Sequence, residues 1–256
     1  MKMQSCIVIG DSYNVIPSDF DNAVLGTKPC IICGEMLDFI KLCGKKQHWQ
    51  CYIKLRAEEV RDLLESMSGL EEMINIINPP VSMRSCFIRS FWQNNYKCWS
   101  LLPNYNHLQE LERTTGLSGY LEIGSGCGLL AAIMQKYGFK FVAVTDNNTG
   151  IFSAGLSASE EEPIFFKPYC DIEQLDCVDA TKKYKANVLL TSWAQDYSYS
   201  DICDYFQGKY IVHIGEGLDG CTDFGEIPDN EWMLVKIIYI PRWYGYKDRV
   251  EIYERI

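Results

Sequence analysis

Glu122-Ile-Gly-Ser-Gly-Cys-Gly128 joins the end of an apolar, strand-like run, Tyr120–Ile123, to a helical run, Leu129–Tyr137. A strand followed by glycines and then a helix makes a nucleotide cradle, because glycine lets the backbone turn sharply and approach a ligand with no side chain between them. A dinucleotide fingerprint, Gly-x-Gly-x-x-Gly, requires glycine or alanine at position 129, where this chain has Leu129. The glycines fall instead in the register Glu-x-Gly-x-Gly-x-Gly, with an acidic residue inside the strand end.

Downstream, Phe141-Val-Ala-Val-Thr-Asp146 is an apolar strand ending in a carboxylate 18 positions after Gly128 (146 − 128). That is near the ~20 residues expected before a carboxylate that accepts hydrogen bonds from ribose hydroxyls. Strand-like runs continue at Phe139–Thr145, Ile164–Lys167, Asn187–Ser192 and Tyr210–Ile214, alternating with helical ones, the pattern of crossover units on a parallel sheet. The last two runs, Glu231–Ile240 and Arg249–Arg255, are joined by residues 241–248, which leave no room for a crossover helix. They are expected to form an antiparallel hairpin.

The glycine register and its partner carboxylate resemble the first motif of class I S-adenosylmethionine-dependent methyltransferases, and the resemblance covers roughly residues 118–256. It implies an α/β, Rossmann-like class I methyltransferase fold, mostly parallel with a C-terminal antiparallel hairpin, and S-adenosylmethionine as cofactor. Carried onto this sequence, Glu122, Gly124, Ser125, Gly126 and Gly128 would lie against the methionine and ribose portions, and Asp146 would take the ribose. Ile164-Phe-Phe-Lys-Pro-Tyr-Cys-Asp171-Ile172 looks like the family's third strand, followed by an acidic residue whose neighbours border the adenine.

Ligands of open parallel sheets sit beyond the carboxyl ends of the strands. The loops Thr191-Ser-Trp-Ala-Gln-Asp196 and Gly215-Glu-Gly-Leu-Asp-Gly-Cys-Thr-Asp223 are therefore expected to line an acceptor pocket. Methyl transfer needs an aligned nucleophile and, for many acceptors, a base. Ser192, Trp193 and Glu216 are the candidate catalytic residues, with Asp196 a further carboxylate in reach. Enzymes of this superfamily that methylate amino groups of bases or of glutamine often place Pro-Pro and an aromatic after the fourth strand; Ser192-Trp193-Ala194 has no proline. His213, inside an apolar strand, reads as a core histidine. The stretch 210–222, Trp232 and Asp248-Arg-Val-x-Ile-Tyr-x-Arg255 resemble a set of small methyltransferase-like proteins with the same Ile-Gly-Glu and Gly-Cys-Thr, a likeness that names no substrate.

Near the N-terminus, Pro29-Cys30-Ile-Ile-Cys33-Gly34 is a zinc-knuckle sequence, and His48-Trp-Gln-Cys51 follows after 15 positions (48 − 33). Two thiolates separated by two residues can grip one ion, and the second pair completes a tetrahedral set of Cys30, Cys33, His48 and Cys51. The spacing resembles treble-clef zinc fingers, and four protein ligands imply a structural Zn2+. Cys43 is a less well spaced competitor, and Lys41, Lys45 and Lys46 make the segment locally basic.

The expected organisation is a small zinc-binding segment at 1–55, a helical linker or cap at 56–116 and an S-adenosylmethionine-binding domain at 117–256. In the middle region Val60, Leu63, Leu64 and Met67 recur at helical spacing, Gly69 is placed to cap that helix, and Asn78-Pro-Pro80 interrupts the pattern. No stretch approaches the ~18 apolar residues of a membrane span, and no secretory signal opens the chain, so a cytoplasmic protein with reduced thiols is expected. A formal charge of −10 disfavours general nucleic-acid binding. The acceptor stays open among protein, RNA and small molecules. Two other readings stand beside an active enzyme: a catalytically inactive, methyltransferase-like adaptor, and an RNA methyltransferase by analogy with enzymes that join a zinc module to this fold.

Overall fold

A computed structural model of the chain describes residues 60–78, 101–147, 151–153, 163–165, 168–193, 199–217, 227–243 and 245–256. Its centre is a seven-stranded sheet. β1 (Ser118–Ile123), β2 (Lys140–Asp146), β5 (Glu173–Gln174), β6 (Val188–Ser192) and β7 (Tyr210–Gly215) all run parallel. β9 (Arg249–Arg255) is antiparallel to β7 and to the edge strand β8 (Trp232–Ile238). The spatial order is β5-β2-β1-β6-β7-β9-β8. β1 lies between β2 and β6, so the chain winds outward in one direction from β1 and returns to start again on its other side. This reversal opens a crevice at the carboxyl ends of β1 and β6, the place where doubly wound sheets bind ligands.

The strands read as near-continuous apolar runs because both faces of the sheet are covered. On one face, Tyr120, Val188, Leu190, Val212 and Ile252 pack with α3 (Leu129–Tyr137) and α1 (Leu70–Ile77) through Leu130, Ile133, Met73 and Ile74; Leu108 of α2 (Tyr105–Thr115) joins the same core. On the other face, Leu121, Ile123, Leu189 and Ile211 meet Ala180 of α4 (Cys177–Lys183) and Ile202 of α5 (Tyr199–Cys203). Each fully buried Leu or Ile of this kind is worth about 1.5–3 kcal/mol relative to exposure. The N-terminal helical segment is thus part of the main core: Val60, Leu70 and Ile77 are all buried in it.

The expected C-terminal hairpin and the parallel strands at 120–123, 139–145, 187–192 and 210–214 are present. The third strand is not where the sequence placed it. Ile164 lies in β4 (Pro163–Phe165), which pairs antiparallel with β3 (Ile151–Ser153) in a separate two-stranded ribbon. The position next to β2 is taken by Glu173 and Gln174, aligned with Thr145 and Asp146. Gly69 also differs: the preceding helix, described from residue 60, ends at 66, and Gly69, with φ −82°, is the N-cap of α1. Asn78 ends α1, and its buried amide donates to the Leu102 carbonyl at 2.8 Å and accepts from the Leu102 N–H at 2.9 Å. The helical region is thereby stapled to the segment leading into α2.

Candidate functional site

Four parallel strands deliver the candidate residues to one edge of the sheet. The glycine turn follows β1, β2 ends in Asp146, β6 ends in Ser192 with Trp193 next, and Glu216 follows β7. In the turn, Gly124, Gly126 and Gly128 have φ of 62°, 60° and 73°, the left-handed region that costs other L-residues roughly 1–2 kcal/mol. Gly128 is also the N-cap of α3. Two bonds tie the turn to β2: the Ser125 N–H donates to the Thr145 carbonyl at 3.0 Å, and the Gly126 N–H donates to the Asp146 Oδ2 at 2.8 Å. Glu122, Gly124, Ser125, Gly126, Gly128 and Asp146 therefore form one contiguous group.

Glu122 is 1% exposed, and its Oε2 has no hydrogen-bond partner among the described residues; the buried Ser125 hydroxyl is in the same condition. Desolvation, with the nearby Asp146 carboxylate adding repulsion, pushes the Glu122 carboxyl up to about 8. A buried acid without a donor is costly in isolation.

Residues 168–172 run over this turn. The Tyr169 N–H donates to the Cys127 carbonyl at 2.9 Å, and the Cys170 thiol lies 3.5 Å from the Gly128 carbonyl. A Cβ on Gly128 would stand 2.6 Å from the Cys170 Sγ and 3.0 Å from the Ile172 Cδ1, so this glycine is required by close approach as well as by φ. Burial raises the Cys170 thiol to about 12, which keeps it protonated. Asp171, between these two packed residues, is exposed.

On the β6 and β7 side, Trp193 has φ 50°, unusual for a bulky residue, and is 4% exposed. Its N–H donates to the Ile214 carbonyl at 3.0 Å and its indole Nε1 to the Asp248 Oδ1 at 3.0 Å; Tyr246 meets its ring edge-on, with centroids 6.0 Å apart. Trp193 is thus held by packing and by a buried carboxylate. Ser192 is half-buried, and buried Glu216 accepts the Lys247 N–H at 3.2 Å. Beneath Gly217, φ 73°, lies the Arg249–Glu251 ion pair, with Nε to Oε1 at 2.6 Å, and Tyr253 donates to the other Glu251 oxygen at 3.0 Å. A Cβ at 217 would run into both members of that pair. His213 is the satisfied core residue expected: its Nδ1 is 2.6 Å from the Tyr199 hydroxyl and 3.2 Å from the Thr191 Oγ1.

Asp248, Arg249, Glu251, Cys170 and Tyr169 are the site neighbours that motif reading did not assign. The first three fall within the resemblance at 248–255, which signalled a shared segment without saying which side chains turn toward the crevice. Asp196 and the zinc candidates Cys30, Cys33, His48 and Cys51 lie outside the described residues. Among the described residues, no group of three or more His, Cys, Asp or Glu side chains is placed to hold a metal ion, and no helix is long and apolar enough to cross a membrane.

No family model matches the chain, and no curated protein matches it in sequence. Among solved structures it is similar to magnesium protoporphyrin IX methyltransferase from Synechocystis PCC 6803 with bound SAM, at 13% identity over 78% of this chain and 97% of that one, with a TM-score of 0.40. It is similar also to the 16S rRNA methylase RmtB, at 8% identity over 85% and 82% of the two chains and a TM-score of 0.40. Ribosomal protein L11 methylase from Lactobacillus delbrueckii subsp. bulgaricus gives 14% identity over 59% and 77%, with a TM-score of 0.34. At scores of this size these are likenesses only.

Proposed function

We propose that this chain is an S-adenosylmethionine-dependent methyltransferase whose acceptor enters between the loops that follow β6 and β7. The observation that carries the reading is the buried Glu122 carboxyl, with an oxygen unpartnered among the described residues, beside an Asp146 carboxylate that already organises the Gly126 N–H. These residues fit the cofactor: an ammonium or hydroxyl donor would satisfy Glu122 and Ser125, Asp146 can accept from ribose hydroxyls, and the glycines keep side chains out of the way. The neighbours of Asp171 would border the adenine. When bound, the cofactor supplies a methyl group on a positively charged sulfur.

The chain's own contribution is positioning and proton removal. Glu216, anchored by the Lys247 N–H, is the base in this reading. Trp193, fixed by Asp248, holds the shape of the pocket wall beside Ser192. The acceptor is a protein, an RNA or a small molecule. The sequence segments 1–55, 56–116 and 117–256 are proposed as zinc-binding, helical and cofactor-binding units. A structural Zn2+ on Cys30, Cys33, His48 and Cys51 requires about one zinc per purified chain, and a clearly lower content removes that site.

The test of catalysis is incubation of cell extract and the purified chain with methyl-labelled S-adenosylmethionine. Label is expected in one acceptor fraction and is expected to fall at least about 100-fold with Glu216→Gln; label that is independent of added protein refutes the proposal. A second reading, a methyltransferase-like binding module without chemistry, is motivated by Ser192-Trp193-Ala194, which lacks proline after the fourth parallel strand. That reading predicts cofactor-independent partner binding and no label in any fraction.

A further inference from the structure

The segment that joins β8 to β9 is basic in an acidic chain. Residues 239–249 carry Arg242, Lys247 and Arg249 against one acid, Asp248, while the whole chain has a formal charge of −10. Asp248 is buried and bonded to the Trp193 indole, and Arg249 is paired with Glu251. Arg242 and Lys247 are exposed, and among the described residues neither side chain has an ion-pair partner. Tyr239, at the start of the segment, is 74% exposed. The backbone that carries these three side chains is held in place: Ile240 and Trp243 are buried in the main core, the Tyr246 N–H donates to the Trp243 carbonyl at 3.2 Å, and the Lys247 N–H donates to Glu216. β8 runs parallel to β7, since both are antiparallel to β9, so the segment starts at the sheet edge that carries the loops after β6 and β7. Contacts of Tyr246 with the Trp193 ring and of the Lys247 N–H with Glu216 put it at the wall of the proposed acceptor pocket.

We propose that this segment is a docking surface for a single-stranded nucleic acid, and that the methyl acceptor is a nucleotide of that strand. The acceptor assignment rests on the methyltransferase reading above; the docking surface does not. Each of the two unpaired cations can neutralise a phosphate, and the Arg242 guanidinium can also stack on a base face. A tyrosine ring presented to solvent on the same segment is a stacking platform, and such stacking accepts any base because every base has a π-face. An acidic peptide would engage Arg242 and Lys247 but would gain little from Tyr239, which favours the nucleic acid. The negative charge of the rest of the chain opposes a polyanion at long range, so the contact is confined to a few nucleotides at the crevice. Anchoring through Ile240 and Trp243 keeps the surface in shape before the strand arrives, which lowers the cost of ordering it on binding.

Fluorescence anisotropy of the full chain with three labelled probes provides the test: a short single-stranded RNA of mixed sequence, its DNA counterpart and a short polyglutamate peptide. Two neutralised phosphates predict that log K for a bound strand falls with log salt concentration at a slope of about −1.4. Changing Arg242→Ala and Lys247→Ala together should bring that slope close to zero. Tyr239→Ala should leave the slope unchanged and weaken binding about fivefold to a hundredfold, as for loss of one stacked base. All three side chains are exposed, so urea midpoints are expected to stay at the wild-type value and show that the variants are folded. Binding of either strand with these losses supports the surface, and the more tightly bound strand identifies the acceptor as RNA or DNA. No binding of either strand, binding unmoved by the variants, or polyglutamate bound as tightly as the strands overturns it. Titration calorimetry with S-adenosylmethionine separates the two readings. Cofactor binding without nucleic-acid binding overturns the surface alone, and nucleic-acid binding without cofactor binding overturns the acceptor assignment and leaves the surface standing.

Discussion

Replacing Glu122 with Gln converts a buried, titrating acid into a neutral group of the same shape, and the pH dependence of stability should change accordingly. The Glu122 carboxyl is pushed from an ordinary value of 4.5 to about 8, first by desolvation and second by Asp146. The folded chain then keeps a proton that the unfolded chain releases. Stability from this group is complete below pH 4.5 and is lost as pH rises through about 8. The two values lie about 3.5 pH units apart, each worth about 1.4 kcal/mol, so the ceiling is about 5 kcal/mol. Urea unfolding of both proteins at matched ionic strength, from pH 5 to 9, measures this loss. Glu122→Gln should lack it, and the variant should gain on the wild type with every step in pH until the difference levels off above pH 8. Taking the difference cancels all other titrating groups. Parallel pH profiles for the two proteins would refute the buried, proton-holding carboxyl.

Gly128→Ala is expected to cost about 2 kcal/mol or more, since it forces a side chain into the left-handed region and against the Cys170 Sγ at 2.6 Å; urea midpoints check this, and an unchanged midpoint would mean that residues 168–172 do not pack as described. Trp193→Phe removes the indole donor to buried Asp248 and should destabilise the chain by about 1–3 kcal/mol. Combining it with Asp248→Asn should cost less than the sum of the two single changes, and strict additivity in that double-mutant cycle would contradict the bond.

Much of this architecture was legible in the chain because its elements carry strong local signals. Leu129–Tyr137 is flanked by Gly128 and Gly138, and Arg249–Arg255 is a strand-like run too close to the one before it for a crossover helix. The third parallel strand was not legible. Glu173 and Gln174 are polar and only two residues long, while the apolar Ile164-Phe165 nearby pairs with Phe152 and Ile151 instead. Strand preference is largely a matter of available partners, so an apolar run does not reveal which sheet it joins. In the site, the carboxylates at 122 and 146 could be found because strand ends and glycine spacing mark them. The Trp193–Asp248 bond links residues 55 positions apart, and no spacing rule connects a loop after β6 with one before β9. The closure of residues 169–172 over Gly128 follows from the displaced third strand and was hidden for the same reason.

The central claim is that the glycine turn and Asp146 together bind an adenosyl ligand, and titration calorimetry with S-adenosylmethionine on wild-type protein and Asp146→Ala tests it most directly. Saturable binding with about one site per chain is expected for the wild type. Asp146→Ala, which loses both the ribose acceptor and the Gly126 N–H bond, should weaken it by about tenfold or more. No heat of binding to the wild type, or an affinity unmoved by Asp146→Ala, would contradict the account.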